Sequence, residues 1–144
     1  MIQNFEQLLE AACTIKGKRV VVIFPNNDET FDAVVQAQEI GLAEFILVGD
    51  EKAICRSLDG RGKALNGIGV VPEANMISAL RRSIELINDG RGDILMKGGI
   101  DTSTMMKAVL QEDAGIREGK LLSDIFILEF PQREGNKFVM ITDG

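Results

Sequence analysis

The sequence predicts an α/β fold of three layers, with a mostly parallel β-sheet covered by helices on both faces. Continuous β-branched and apolar runs, such as RVVVIFP at 19–25, are typical of strands buried on both faces. These runs alternate with helical patterns over about the first 115 residues, which favours parallel strands joined by crossover helices. The chain has 144 residues, 45% of them hydrophobic, so we expect one domain, 1–144, with its own core.

The first elements follow from apolar spacing and from the residues that interrupt it. Residues 2–15 place apolar side chains on one helical face, and Gly17 ends that helix. The run at 19–25 predicts the first strand. Asn26-Asn27-Asp28 then offers a helix cap, before an apolar stripe that continues to Ile40.

The middle of the chain repeats this alternation with shorter elements. FILVG at 45–49 predicts a second buried strand, and 51–58 predicts a short helix. A polar, glycine-rich excursion occupies 59–67. The third strand covers 68–71 and is stopped by Pro72, which cannot donate a ladder hydrogen bond.

The last third of the chain begins with the same alternation of helices and strands and ends with two successive strands. Residues 74–88 form the clearest helix, because apolar residues recur there at intervals of three or four. A fourth strand at 93–97 and a helix at 102–113 follow. Two strands at 122–130 and 137–142 come last, and the short loop between them favours an antiparallel pair.

Composition excludes several classes of function. The chain has no His, so it cannot supply His-dependent nucleophilic catalysis or a histidine metal ligand, and no metal site is expected. Its net charge of −6, with no Trp or Tyr, disfavours a nucleic-acid partner. Cys13 and Cys55 are too few for a disulfide scaffold and suit a reducing cytoplasm, and no segment predicts a membrane span or a signal peptide.

The stretch MKGGIDTST, between the fourth strand and the next helix, is the strongest candidate site. In an open α/β sheet, ligands bind beyond the carboxyl ends of the strands. Lys97 adds a positive charge there, and Gly98 and Gly99 permit close approach of the backbone. The helix start carries Thr102, Ser103 and Thr104, whose amides and hydroxyls favour an anion. We expect this stretch to hold phosphate. An ordinary capped helix after a tight turn is the alternative, but it leaves the lysine and the glycine pair unexplained.

Two further segments carry polar residues suited to such a ligand. Residues 114–126 include Arg117, whose guanidinium fits phosphate oxygens, and Ser123, which opens a strand. A solvated surface loop is the alternative for this segment. Asp143 follows the last strand, where its carboxylate acts as a base or orients a nucleophile, or else caps a local turn.

These motifs, taken in order, resemble the phosphate acetyltransferase and phosphate butyryltransferase family. The matches are DILMKG at 93–98, Thr102 at the helix start, the loop 115–123, and ITDG at 141–144. The upstream FILVGDEKAI also fits. The resemblance covers essentially the whole chain, which corresponds to the N-terminal part of the family. At Asp124 the chain departs from the family, which usually has His there.

The resemblance implies a function and a fold. The reaction would be acyl-CoA plus phosphate to acyl phosphate plus CoA, with no tightly bound cofactor and with CoA as a substrate. The fold would be one half of a structure similar to the isocitrate and isopropylmalate dehydrogenases. A second half carries a Ser/Arg/Asp catalytic group in the family, so we expect these 144 residues to be incomplete on their own.

The resemblance also implies roles for residues. Lys97, Gly98, Gly99, Thr102, Ser103, Thr104, Lys107 and Arg117 would bind phosphate or CoA, and Ser123 and Asp143 would be catalytic. We expect a homodimer or a partner chain that supplies the second half. The alternative function is a non-catalytic module that binds phosphate, an acyl phosphate or CoA.

Overall fold

A computed structural model describes residues 1–62, 67–111, 114–116 and 123–142. These residues divide into two compact units, one made of 1–15 with 123–142 and the other running from Lys16 to 116. Each unit is described by itself. One domain over residues 1–144 stays a prediction.

The larger unit alternates strands and helices, as the sequence predicts. Its elements are β1 (Arg19–Ile23), α2 (Asp28–Glu39), β2 (Glu44–Gly49), α3 (Glu51–Asp59), β3 (Ile68–Pro72), α4 (Met76–Asn88), β4 (Ile94–Lys97) and α5 (Thr102–Val109). The four strands form one sheet in the order β3-β2-β1-β4, and all neighbouring pairs are parallel. The predicted parallel sheet is therefore confirmed.

Alternate residues of β1 point to opposite faces of the sheet, and each face is covered by helices. Val20 and Val22 pack in a cluster with residues of α2 and α3, including Phe31 and Ile54. Val21 packs on the other face with residues of α4. The sheet is therefore the middle of three layers, because a strand buried on both faces needs apolar cover on both.

Helix α5 is shorter than the sequence predicts. It ends at Val109 rather than at 113. The N–H of Gln111 donates to the carbonyl of Ala108, a three-residue turn that closes the helix more tightly than a further α-helical turn would.

The smaller unit contains α1 (Phe5–Thr14), β5 (Ile125–Glu129) and β6 (Phe138–Thr142). β5 and β6 pair in antiparallel register, with Phe126 opposite Ile141, so the predicted hairpin is confirmed. The start of α1 is tied to it: the N–H of Phe5 donates to Glu129 Oε2 at 2.7 Å, and the rings of Phe5 and Phe138 meet edge to face at 5.2 Å.

Among the described residues, no helix is both long enough and apolar enough to cross a membrane.

Candidate functional site

The candidate site lies at the carboxyl ends of β1 and β4. These two strands are neighbours, and Ile23 stands in register with Lys97. The chain runs from β1 to β2 on one side and returns from β3 to β4 on the other side of β1. The strand order therefore reverses between β1 and β4, and such a reversal opens a crevice in which α/β proteins bind ligands.

The two glycines are explained by contacts within the protein. The N–H of Gly98 donates to the carbonyl of Ile23, and that of Gly99 to the carbonyl of Phe24, both at 2.9 Å. A Cβ atom on Gly98 would lie 2.5 Å from the Ile23 carbonyl oxygen, and one on Gly99 would overlap the side chain of Asn26. Only glycine therefore lets the loop after β4 lie against the loop after β1. The sequence analysis attributes the two glycines to close approach of a ligand, whereas the structure shows close approach of the loop after β1.

The loop after β1 is itself bent into an unusual backbone conformation. Phe24 has a φ of +47°, a value that side-chain-bearing residues seldom adopt. Its N–H donates to the carbonyl of Val48 at 2.8 Å, and a Cβ on Gly49 would lie 3.2 Å from its ring. The chain therefore bends at Phe24, directly after β1, and the next residue, Pro25, is buried against Gly98.

The start of α5 is capped by a residue that the sequence analysis did not select. Asp101 Oδ1 accepts the N–H of Thr104 at 2.9 Å and the hydroxyl of Ser103 at 2.7 Å. Hydrogen bonds from the side chains of Thr104 and Ser103, and from the Thr104 amide, hold the pKa of Asp101 far below its ordinary value. The cap is therefore an ionised carboxylate at neutral pH.

Several donors near this cap stay available. Within the described ranges, the N–H groups of Thr102 and Ser103 meet no acceptor, and Lys97 forms no ion pair. Lys97, Thr102 and Ser103 are all exposed. The first turn of α5 contains no acidic residue, whereas α2 begins with two, Asp28 and Glu29.

Lys107 lies one turn further along α5, in a groove between α4 and α5. The groove encloses about 490 Å³ and is also lined by Thr104, Arg81 and Gln111. Its floor is apolar, with Leu80 and Ile84 from α4. Two predicted residues, Thr104 and Lys107, therefore share a groove with an apolar floor and a charged rim, on which the carboxylate of Glu85 lies with the cations of Arg81 and Lys107.

The remaining predicted residues are not among the described residues of the larger unit. Ser123 is exposed and belongs to the smaller unit. Arg117 and Asp143 lie outside the described residues, as does Gly144. The roles of these residues stay predictions.

Asp93 opens the DILMKG motif at the opposite, amino-terminal edge of the sheet. Its carboxylate accepts the N–H of Arg19 at 2.9 Å and lies 3.4 Å from the Arg19 guanidinium and 3.9 Å from Lys18. The hydrogen bond from the Arg19 amide lowers the pKa of Asp93, and the charges of Arg19 and Lys18 lower it further. The first residue of the motif, Asp93, joins β1 to β4 at the amino-terminal edge of the sheet. The last two residues, Lys97 and Gly98, lie at its carboxyl edge.

Sequence reasoning missed Asn26 and Asp101 at the site. The signal for Asp101 was present, because Asp followed two and three positions later by Ser and Thr is a helix-start pattern. Asn26 carried no such signal, since its contact with Gly99 joins loops 73 positions apart in the chain.

Comparisons with known proteins give consistent results. No protein-family model matches the chain. It is 29% identical over 143 residues to a phosphate butyryltransferase of Clostridium acetobutylicum, covering 99% of this chain and 47% of that enzyme. It is 34% identical over 129 residues to a phosphate acetyltransferase of Thermotoga maritima, covering 88% of this chain and 42% of that enzyme. The chain thus spans about half the length of the curated relatives it matches.

Solved structures agree on the fold. A branched-chain phosphotransacylase from Enterococcus faecalis V583 superposes with a TM-score of 0.71 at 20% identity, over 88% of this chain and 43% of that one. A phosphotransacetylase from Streptococcus pyogenes gives a TM-score of 0.69 at 17% identity.

Proposed function

Because this chain is homologous to the phosphate butyryl- and acetyltransferases over about half their length, we propose that it is the phosphate-binding half of a phosphate acyltransferase. The reaction is acyl-CoA plus phosphate to acyl phosphate plus CoA. A phosphate oxygen bonds to the acyl carbon, the carbon–sulfur bond breaks, and the CoA sulfur leaves as a thiolate that takes up a proton.

One observation carries the proposal: Lys97 ends β4 at the edge of the sheet where the strand order reverses, and α5 begins at Thr102, shortly after it in the chain. Phosphate is an anion, so it needs positive charge and N–H donors at close range. Lys97 supplies the charge, and the amides of Thr102 and Ser103 with the Thr102 hydroxyl supply the donors. We assign the primary contacts to these groups, because Asp101 already engages the Ser103 hydroxyl and the Thr104 amide.

Asp101 gives this proposal a distinctive electrostatic signature. Its ionised carboxylate stabilises the helix start in the free protein, but it repels an anion placed at the same point. Phosphate binding therefore competes with the cap. Loss of the positive charge at Lys97 and loss of the negative charge at Asp101 have opposite effects on phosphate affinity.

CoA is larger than phosphate and needs a longer surface. The α4–α5 groove begins at Thr104, near the start of α5, and carries two cations, Arg81 and Lys107, beside the carboxylate of Glu85. Neither cation has an ion-pair partner among the described residues. We assign the anionic part of CoA to this rim. Arg117, Ser123 and Asp143 keep their proposed roles in flanking the ligand and in catalysis.

A second candidate function has its own support. The chain matches less than half of each relative's length. A module that binds phosphate, an acyl phosphate or CoA without turnover needs only the crevice and the groove. An assay for CoA-dependent acyl phosphate formation separates the two functions, because the binding module gives saturable binding but no product.

The test of the site measures phosphate affinity from the rise in thermal midpoint with phosphate concentration, followed by circular dichroism. We expect Lys97→Ala to weaken phosphate binding about tenfold or more, as for one charge-assisted contact. Lys52→Ala, which removes an exposed lysine on α3, is the matched control and should leave affinity unchanged.

Asp101→Asn should change phosphate affinity in the opposite direction to Lys97→Ala. Asn caps helices about as well as Asp, so the fold should persist while the negative charge is lost. Phosphate affinity should rise in this variant. Equal affinities in the wild type, Lys97→Ala and Asp101→Asn would rule out phosphate at the start of α5.

A further inference from the structure

Two adjacent asparagines follow β1, and the structure gives them different surroundings. Asn27 caps α2, because its side-chain Oδ1 accepts the N–H of Thr30 at 2.9 Å. Asn26 is exposed, and among the described residues its side-chain amide makes no hydrogen bond. The fold therefore uses the side chain of Asn27 and leaves the donors and the acceptor of the Asn26 amide available.

The Asn26 side chain lies directly on Gly99, in the loop that joins Lys97 to α5. A Cβ on Gly99 would overlap the Oδ1, Cγ and Nδ2 atoms of Asn26, so the amide group covers the position that a side chain would take. The N–H of Gly99 donates to the carbonyl of Phe24 at 2.9 Å, which holds this loop against the segment that carries Asn26. The free amide therefore lies on the loop between Lys97 and Thr102, two residues to which we assign phosphate contacts.

The backbone just before Asn26 is strained. Phe24 has a φ of +47°, which is costly for a residue with a Cβ. Strain of this kind persists only where the surroundings hold it, and it is concentrated at active sites and ligand clamps. Here the N–H of Phe24 donates to the carbonyl of Val48, and its carbonyl accepts the N–H of Gly99. The strained turn thus brings to Gly99 a side chain that the fold does not use, which supports a binding role for Asn26.

We propose that Asn26 is a further phosphate-binding residue, and that its Nδ2 donates to an oxygen of the phosphate bound by Lys97 and the start of α5. This inference rests on the proposed function, because the ligand is the same. A primary amide has two N–H donors and no charge. It therefore binds a phosphate oxygen without the repulsion that the Asp101 carboxylate exerts.

The experiment compares the two asparagines. Phosphate affinity is measured from the rise in thermal midpoint with phosphate concentration, and the midpoint without phosphate measures stability. We expect Asn26→Ala to weaken phosphate binding about three- to tenfold, as for one hydrogen bond, and to leave the midpoint without phosphate unchanged. Asn27→Ala is the matched control. It should lower that midpoint through loss of the α2 cap and leave phosphate affinity unchanged.

Two further measurements test the contact directly. Asn26→Asp keeps the shape of the side chain but replaces its donors by a negative charge, so it should weaken phosphate binding more than Asn26→Ala does. In NMR spectra, the side-chain N–H signals of Asn26 are identified by their loss in Asn26→Ala. These signals should shift as phosphate is added, and those of Asn27 should shift less, because its Oδ1 stays in the α2 cap.

Three outcomes would overturn the inference. Wild-type affinity in both Asn26→Ala and Asn26→Asp would show that the amide does not contact phosphate, and so would unshifted Asn26 signals at saturating phosphate. An equal loss of affinity in Asn26→Ala and Asn27→Ala would assign the effect to the shape of the loop. Phosphate binding that depends on Lys97 but not on Asn26 would defeat this inference alone, whereas a wild-type chain that binds no phosphate would defeat the proposed function as well.

Discussion

Leu47 in β2 and Leu128 in β5 are both leucines in apolar strands, but their surroundings differ. Leu47 is fully buried between the helical layers, whereas Leu128 is 42% exposed in the hairpin. The strand runs FILVG and IFILE look equally suited to a core. What separates them is the cover available within each unit: four helices pack on the sheet of the larger unit, whereas the smaller unit contains one helix, α1, among its described residues. Apolar sequence alone therefore identifies a surface that has to be buried, not what buries it.

Replacing each of these two leucines by alanine should give the largest difference in the free energy of unfolding. Leu47→Ala should lower the free energy of unfolding by about 2–5 kcal/mol, because it leaves a cavity in a packed core. Leu128→Ala in the chain alone should change it by no more than about 0.5 kcal/mol, as for an exposed residue. Urea unfolding followed by circular dichroism measures both, since the chain has no Trp. Equal costs would mean that the hairpin is already covered.

A smaller loss in the free energy of unfolding is expected from a substitution at the carboxyl edge of the sheet. Gly98→Ala adds one carbon that would press on the Ile23 carbonyl and on Pro25, both of them backbone. We expect a loss of about 1–3 kcal/mol, as for overpacking elsewhere. Gly69→Ala in β3 is the matched control, because its Cβ would meet its neighbours at an ordinary 3.7 Å. If both variants were equally stable, the close contact of the two loops would be incorrect.

The smallest effect on stability is expected from Asp93, at the amino-terminal edge of the sheet, and it depends on pH. The pKa of Asp93 is lowered in the folded protein, so its carboxylate stabilises the fold above its unfolded pKa, and this stabilisation is lost as pH falls through the folded value. Asp93→Asn should therefore be less stable than the wild type near pH 7. The difference should shrink below about pH 4, the ordinary range of an Asp carboxyl.

Urea unfolding midpoints at several pH values measure this difference. Asp89→Asn, at the end of α4, serves as the control and should follow the wild type across the range. A difference between Asp93→Asn and the wild type that persists unchanged down to pH 2 would show that charge is not what joins β1 to β4.

The sequence by itself determined the elements, their alternation and the parallel sheet, because these depend on residue spacing and chain connectivity. It also determined that the loop at 97–104 is polar and ends in a helix start, and the family resemblance followed from the same residues. It could not determine why Gly98 and Gly99 are glycines, because that depends on loops after two strands that meet only in the folded sheet.

The structure shows how the donors at the start of α5 are shared, although the Asp, Ser and Thr pattern of this cap is already present in the sequence. Asp101 holds the Ser103 hydroxyl and the Thr104 amide, while Lys97 and Thr102 stay exposed. Only the tertiary structure decided that the four parallel strands are buried and the hairpin strands are not. Burial depends on which apolar surfaces meet in space. The sequence of an apolar strand predicts that the strand should be buried, but it does not identify the elements that pack on it.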